Sequence, residues 1–509
     1  MKKEVYFFYD ESGHSRKITA DTMNDDNFKY DFISAIVGIE KESLIIFNND
    51  YFTFENKWKK FFNAEEIKSN LIRNKKYKFG LSSFKKDDVA FYSDLFDIIL
   101  KNNIYLHFGI FNKIEYLVNQ MLIKSSLLEK INFKSVSYSI TKSLSVYHPK
   151  EVLSSIEENI NDFLPKYRDF LEKRRKLNIR ENGESEENTF KYLISIIDSI
   201  NINLQLEWNY VFSFDGFKKY ISELNLHNVQ LLIDKEGVGN TKKAAINDGL
   251  VNVEEEDSLK STGIRCADLL AGFLSNMIST CENATFYKEN DAARNESLLP
   301  IEWFKNLSNE AFNLYKKAYK IFIDLNNSWY KYYCSIYDDG LLIFLSLLFH
   351  IENYTTYDEY KKDSYEKHQQ KVNTILYWIL KKNHEEINGT YKIDPVAPNN
   401  KGYFFNSKGA KCYLDYKNHS FLKLPNEGEI FKYFVLSVGF FSKNSNYFNQ
   451  PCITISENGN PKCYLLPIEF SNWVMQQQTN AIVFNNNVFP CFVTIKNIND
   501  EFQLERTDD

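Results

Sequence analysis

At 509 residues the chain exceeds what one hydrophobic core organises, so two or three domains are expected. A net charge of -6 and a pI near 5.9 argue against a protein that coats nucleic acid non-specifically, while leaving room for a local basic groove. Seven cysteines without a CxxC pair exclude a disulfide framework or cysteine-rich zinc site and point to a reducing cytoplasm.

Val5–Tyr9 strings strand-favouring residues together and reads as a strand buried on both faces, ending at Asp10. The same stretch turns polar too early for a signal peptide. Tyr30–Glu40 is a second strand and Asn102–Asn112 a third, the latter preceded by a helical pattern over Asp87–Leu100. Between these strands lies a basic stretch, Lys57–Lys86, interleaved with Trp58, Phe61, Phe62, Tyr77 and Phe79. From Lys113 to about Ile200 the apolar spacing is helical, an expected insertion (113–200) with a charged loop at Glu172–Asn188. Strand signals return at Ile202–Ser213 and Asn228–Asn240. After the acidic run Glu254–Asp257 a helix is expected over Gly263–Met277. The following region, 286–399, is helical and aromatic, and its longest apolar run, Leu341–Phe349, has about half the ~20 residues of a membrane span and reads as a buried helix. Beyond Asn399, short strands punctuated by Asn and Gly predict a β-rich accessory domain over 400–509. The expected architecture is α/β. A mixed sheet of three antiparallel strands extended by parallel ones carries the helical insertion, and the helical region and β domain follow.

Four acidic positions stand out. Asp10 and Asp234 each end an apolar strand, and each is either a turn former or a residue held for a cation. Glu66, in "NAEEIKSNL", is a solvated helix residue or a ligand. Asp268 sits among Cys266, Ala267, Leu269 and Leu270, and the small residues Ala267, Ala271 and Gly272 suggest a face packed closely on something else. An Asp there is a helix cap or needs a partner. Together, carboxylates ending apolar strands plus one on a later close-packed helix suit a hard cation that prefers oxygen ligands. Two such ions ~3.5–4 Å apart hydrolyse phosphodiesters.

The stretches "FFYDESG", "EIKSNL", "LLIDKEG" and "IRCADLLAG" resemble the domain-of-unknown-function family 3800, over roughly residues 1–285. The resemblance implies a ribonuclease-H-like fold whose acids bind catalytic Mg²⁺ or Mn²⁺. It implies Asp10, Glu66, Asp234 and Asp268 as the metal ligands, with Glu11 an outer-shell member that points to the opposite face if the strand continues. The chain departs from the family pattern at Ile264-Arg265-Cys266, where the usual Gln is replaced, and in its large insertion.

Within Lys57–Lys86, the basic side chains Lys68, Arg73, Lys75 and Lys76 bracket or follow Glu66 and are either phosphate contacts or a solvated face; the neighbouring aromatics suit stacked bases. His14 stands beside the metals or on a surface turn. Trp473 and "VFPCFV" (Val488–Val493) are an interaction surface or simple core. The expected function is a metal-dependent nuclease acting on RNA or DNA by two-metal-ion chemistry, with family-level analogy suggesting defence against foreign nucleic acid. The alternative is a non-catalytic ribonuclease-H-like binding module that works through a protein partner on the β domain.

Overall fold

The computed structural model describes residues 3–12, 29–125, 131–200 except 159 and 181–183, 211–284 except 225 and 236–239, 299–387 except 327, 410–441 except 414–418, 450–471 except 458–459, 473–474, 477, 489–498 and 501–507. The chain divides into two compact units, Met1–Asn388 and Gly389–Asp509.

The first unit is built on a six-stranded sheet of β1 (Glu4–Ser12), β2 (Asp31–Glu40), β3 (Tyr105–Asn112), β4 (Asn228–Asp234), β5 (Val253–Glu256) and β6 (Tyr332–Cys334), in the order β5-β4-β1-β2-β3-β6. β1, β2 and β3 are antiparallel; β4 runs parallel to β1, β5 to β4, and β6 to β3. Three antiparallel strands extended by parallel ones were expected. The three-residue edge strand β6 was not, because it falls inside the segment whose spacing reads as helical. The expected strand at Ile202–Ser213 lies mostly outside the described residues, and Phe212 and Ser213 open a helix instead.

Alternation along β1 and β2 assigns their side chains to two cores. Phe8, Ile33, Ala35 and Val37 face one side, under α1 (Leu44–Phe62), α2 (Lys86–Lys101) and the helix carrying Asp268. Val5, Phe7, Tyr9, Phe32 and Ile36 face the other, under α8 (Phe212–Glu223) and α9 (Asn240–Asn247). Among the described residues, the insertion between β3 and α8 holds five helices, α3 (Lys113–Lys124), α4 (Phe133–Tyr147), α5 (Lys150–Glu158), α6 (Ile160–Arg180) and α7 (Glu184–Ile197), around a core of its own. Asn112 starts α3 as its cap, accepting from the Ile114 and Glu115 N–H groups.

α10 (Thr262–Asn283) crosses the first face. A Cβ on Gly263 would lie 2.2 Å from the Phe8 ring, so the helix touches β1 at a separation that only glycine permits. The later helices Asn309–Tyr319 and Asp339–Glu352 add Phe312, Leu314, Phe344 and Leu347 to the same core, and the run Leu341–Phe349 is a buried helix as expected. No helix among the described residues is long and apolar enough to cross a membrane.

The second unit holds a separate sheet in the order β10-β9-β8-β11-β12, with β7 (Ala410–Tyr413) parallel to β8. β8 (Ile430–Phe441), β9 (Pro451–Glu457), β10 (Asn460–Leu465), β11 (Cys491–Ile498) and β12 (Glu501–Thr507) are antiparallel neighbours. Its core holds Val435, Val438, Ile453, Phe489, Val493 and Ile495, with Trp473 packed against it. Trp473 and most of the described "FPCFV" segment therefore serve that core.

Candidate active site

Three of the four predicted acids, Asp10, Asp234 and Asp268, lie on the side of the sheet that α10 covers and influence one another through charge. Tyr9 pairs with Ile233 in the parallel β1–β4 ladder, so the next residues along, Asp10 and Asp234, lie side by side. Asp234 ends β4 as expected, whereas β1 does not end at Asp10 but runs on to Ser12, because Asp10, Glu11 and Ser12 keep pairing with Ala35, Ser34 and Ile33 of β2. Both share the face of Phe8 and Leu232. From Ser261 to Glu282 every residue is buried except Asp268, the single point at which this stretch reaches solvent. Asp10 and Asp234 are likewise half-buried, Asp10 within β1 and Asp234 at the end of the partly exposed β4.

The electrostatics join the acids. Burial pushes the Asp10 carboxyl well above the usual carboxylate range, and the negative charges of Asp268, Glu11 and Asp234 push it further, against one hydrogen bond from the Glu11 N–H to Asp10 Oδ1 (2.7 Å). Asp268 is also raised, chiefly by burial, with Glu66 adding to the push. Ser69 opposes this by donating its N–H to Oδ2 (2.9 Å) and its hydroxyl to Oδ1 (2.7 Å), and Lys68 contributes opposite charge. A Cβ on Gly272, one turn beyond Asp268, would lie 2.1 Å from Ser69 Cβ; the small face of α10 thus admits the loop that grips Asp268. Asp234 Oδ1 accepts from the Lys235 N–H (2.9 Å) and the Ser258 N–H (3.1 Å).

Glu66 lies in the loop after α1 and pairs with Lys68 at 3.1 Å. That carboxylate is the main reason the Lys68 ammonium is held above its ordinary value, with Asp268 and Asp234 contributing. Lys68 is exposed beside the acids. Arg73 and Lys75 are exposed on the following turn, whereas Lys76 is paired with Asp88 at the start of α2 (2.6 Å). The interleaved aromatics divide by burial. Trp58 and Tyr77 are core, so the expectation that they stack bases is corrected, while Phe61 is exposed. Glu11 faces the α8 side with Tyr9, as strand alternation requires, and acts on Asp10 through charge. His14 lies outside the described residues.

Sequence reasoning missed four residues that shape this site. Ser69 holds Asp268, and Glu256 pairs with Asp234 across the β4–β5 ladder. Glu55 and Arg265 form a buried ion pair behind the site. Only Glu55 had a local signal, since it falls within the buried stripe Phe47, Tyr51, Phe54 and Trp58 of α1. Among the described residues, no three His, Cys, Asp or Glu side chains are drawn together as a closed metal-ligand cluster. The donor set is nonetheless all oxygen, and its mutual repulsion around Asp10 is what a hard cation relieves. Asp10, Glu66, Asp234 and Asp268 offer only oxygen donors, the kind that Mg²⁺ or Mn²⁺ prefers. No protein family, curated protein or solved structure was found to match this chain.

Proposed function

We propose that the first unit is a metal-dependent nuclease, and that Asp10, Asp234 and Asp268, with Glu66, hold one or two Mg²⁺ or Mn²⁺ ions for phosphodiester hydrolysis. The observation that carries this reading is the half-buried Asp268 in an otherwise buried helix stretch, with Asp10 raised first by burial and then by the charges of Asp268, Glu11 and Asp234. Buried, repelling carboxylates at a solvent opening are costly to the protein alone and become favourable around a cation. A sheet of three antiparallel strands extended by parallel ones is compatible with the ribonuclease-H-like reading. When bound, such ions supply an activated water and charge for the leaving oxygen. The protein's own part is positioning. Ser69 fixes both oxygens of Asp268, the Ser258 N–H fixes Asp234, and Lys68 stands ready for a backbone phosphate. RNA or DNA is the substrate class, and defence against foreign nucleic acid follows only by family analogy.

The test is cleavage of labelled RNA, single-stranded DNA and duplex DNA with Mg²⁺ or Mn²⁺, with Asp10→Ala and Asp268→Ala as controls. Metal-dependent cleavage lost in both folded variants is the expected result. Absence of cleavage, together with no Mn²⁺ binding, would overturn the reading. A second reading, the non-catalytic module acting through a protein partner, is favoured by one observation. Ser69 already engages both oxygens of Asp268, so that side chain also has a structural use.

A further inference from the structure

Arg265 precedes Asp268 by less than one turn of α10 and is 4 % exposed. Its Nε donates to Glu55 Oε1 at 2.6 Å and its Nη2 to Glu55 Oε2 at 2.8 Å, a two-pronged pair with a fully buried carboxylate of α1. The remaining prong, Nη1, donates to the Ser258 carbonyl at 2.5 Å. Ser258 in turn donates its N–H to Asp234 Oδ1 at 3.1 Å. The four groups form one continuous path from α1, through α10 and the turn after β5, to the carboxylate that ends β4. A buried ion pair is a poor source of stability, because desolvation offsets its attraction. A planar guanidinium with donors in a fixed fork is, however, well suited to holding a carboxylate and a carbonyl in one geometry.

We propose that Arg265, locked by Glu55, is a positioning residue. It fixes the Ser258 carbonyl and, through the backbone of that one residue, the Ser258 N–H that orients the Asp234 carboxylate toward Asp10 and the cation the site would hold. The proposal rests on the metal-dependent reading above. It makes Arg265 and Glu55 determinants of metal affinity although neither touches the ion. Lysine cannot replace Arg265, since a single ammonium does not reproduce the fork that spans Glu55 and Ser258.

Mn²⁺ affinity of the full chain, measured by electron paramagnetic resonance of the free ion below the unfolding range of every variant, tests this directly. Arg265→Met and Arg265→Lys are each expected to weaken Mn²⁺ binding by about 10–100-fold, the usual effect of removing an outer-shell partner. Ser258→Pro probes the same path from its other end. It deletes the N–H to Asp234, and Asp257 already has the extended backbone (φ -71, ψ 121) that a residue before proline adopts. Its loss should be of similar size, and Arg265→Met combined with Ser258→Pro should cost no more than either alone. A purely structural Arg265 would lower the melting temperature and leave the Mn²⁺ affinity of the folded protein unchanged. If wild type binds Mn²⁺ and the folded Arg265 and Ser258 variants bind it equally well, the positioning role is overturned while the metal site stands. If wild type binds no Mn²⁺, the metal-dependent reading fails and the positioning role falls with it. Should Arg265→Met not fold, Arg265→Lys decides, since it keeps the charge and loses the fork.

Discussion

Adding one methyl group at Gly272 tests how the loop after α1 seats on α10. The new Cβ would lie 2.1 Å from Ser69 Cβ, 2.7 Å from Ser69 Oγ and 3.4 Å from Ser69 Cα. The first two separations are not tolerated, so Ser69 must move and both its bonds to Asp268 stretch. Overpacking costs about 1–3 kcal/mol and loss of hydrogen bonding to a charged group about 1.5–3 kcal/mol, while Ala in place of a helical Gly returns about 1 kcal/mol. Gly272→Ala is therefore expected to destabilise the protein by about 2–5 kcal/mol, read as a lower midpoint in urea unfolding. Ser69→Gly in the same background removes the colliding atoms and leaves only the ordinary 3.4 Å contact. The double variant should be more stable than the two single losses predict, by about 1–3 kcal/mol of coupling. An unchanged or raised midpoint for Gly272→Ala, or strict additivity in the cycle, would refute the packing of Ser69 on Gly272.

Asp10→Asn removes a charge that burial, Asp268 and Glu11 all disfavour, so the metal-free protein should gain about 0.5–2 kcal/mol at neutral pH. The same change should abolish the rise in melting temperature that Mn²⁺ gives to the wild type; differential scanning calorimetry with and without the ion reads both effects. A second buried cluster makes stability depend on pH. Asp31 is pushed up to about 6 by burial, against Asn112, Lys113 and Glu282, and burial lowers Lys113 to about 7. An unfolded Asp titrates near ~4, so the native state holds the extra proton between about pH 4 and 6. The contribution of Asp31, about 2–3 kcal/mol, is full below that window and lost as pH rises through it. Lys113 works in the opposite sense, its contribution being present above about pH 10 and lost as pH falls toward 7. Melting temperatures across pH should show Asp31→Asn removing the acid-side decline and Lys113→Met removing the alkaline rise.

Much of the site was legible in the sequence for local reasons. An acid that follows an unbroken apolar run marked the strand end at Asp234, while β1 continues past Asp10 to Ser12, and the period of two placed Glu11 on the other face. The small residues Ala267, Ala271 and Gly272 around Asp268 signalled a close approach, which Gly272 makes against Ser69. Pairing across long separations was not legible. Tyr9 meets Ile233 through a backbone ladder that carries no side-chain signature, and Ser69, Glu55 and Arg265 find their partners only when α1, α10 and their loops converge. The edge strand β6 is too short for any period to register, and its pairing with Phe108–Ile110 decides its conformation. Residue type alone did not separate a base-stacking aromatic from a core one, so burial assigned Trp58 and Tyr77 to the interior and left Phe61 outside. The sequence by itself determined which segments are strands and helices and which residues could do the chemistry, because these depend on near neighbours along the chain. Tertiary structure decided which carboxylates share a face and what holds each in place, because those interactions depend on distance in space.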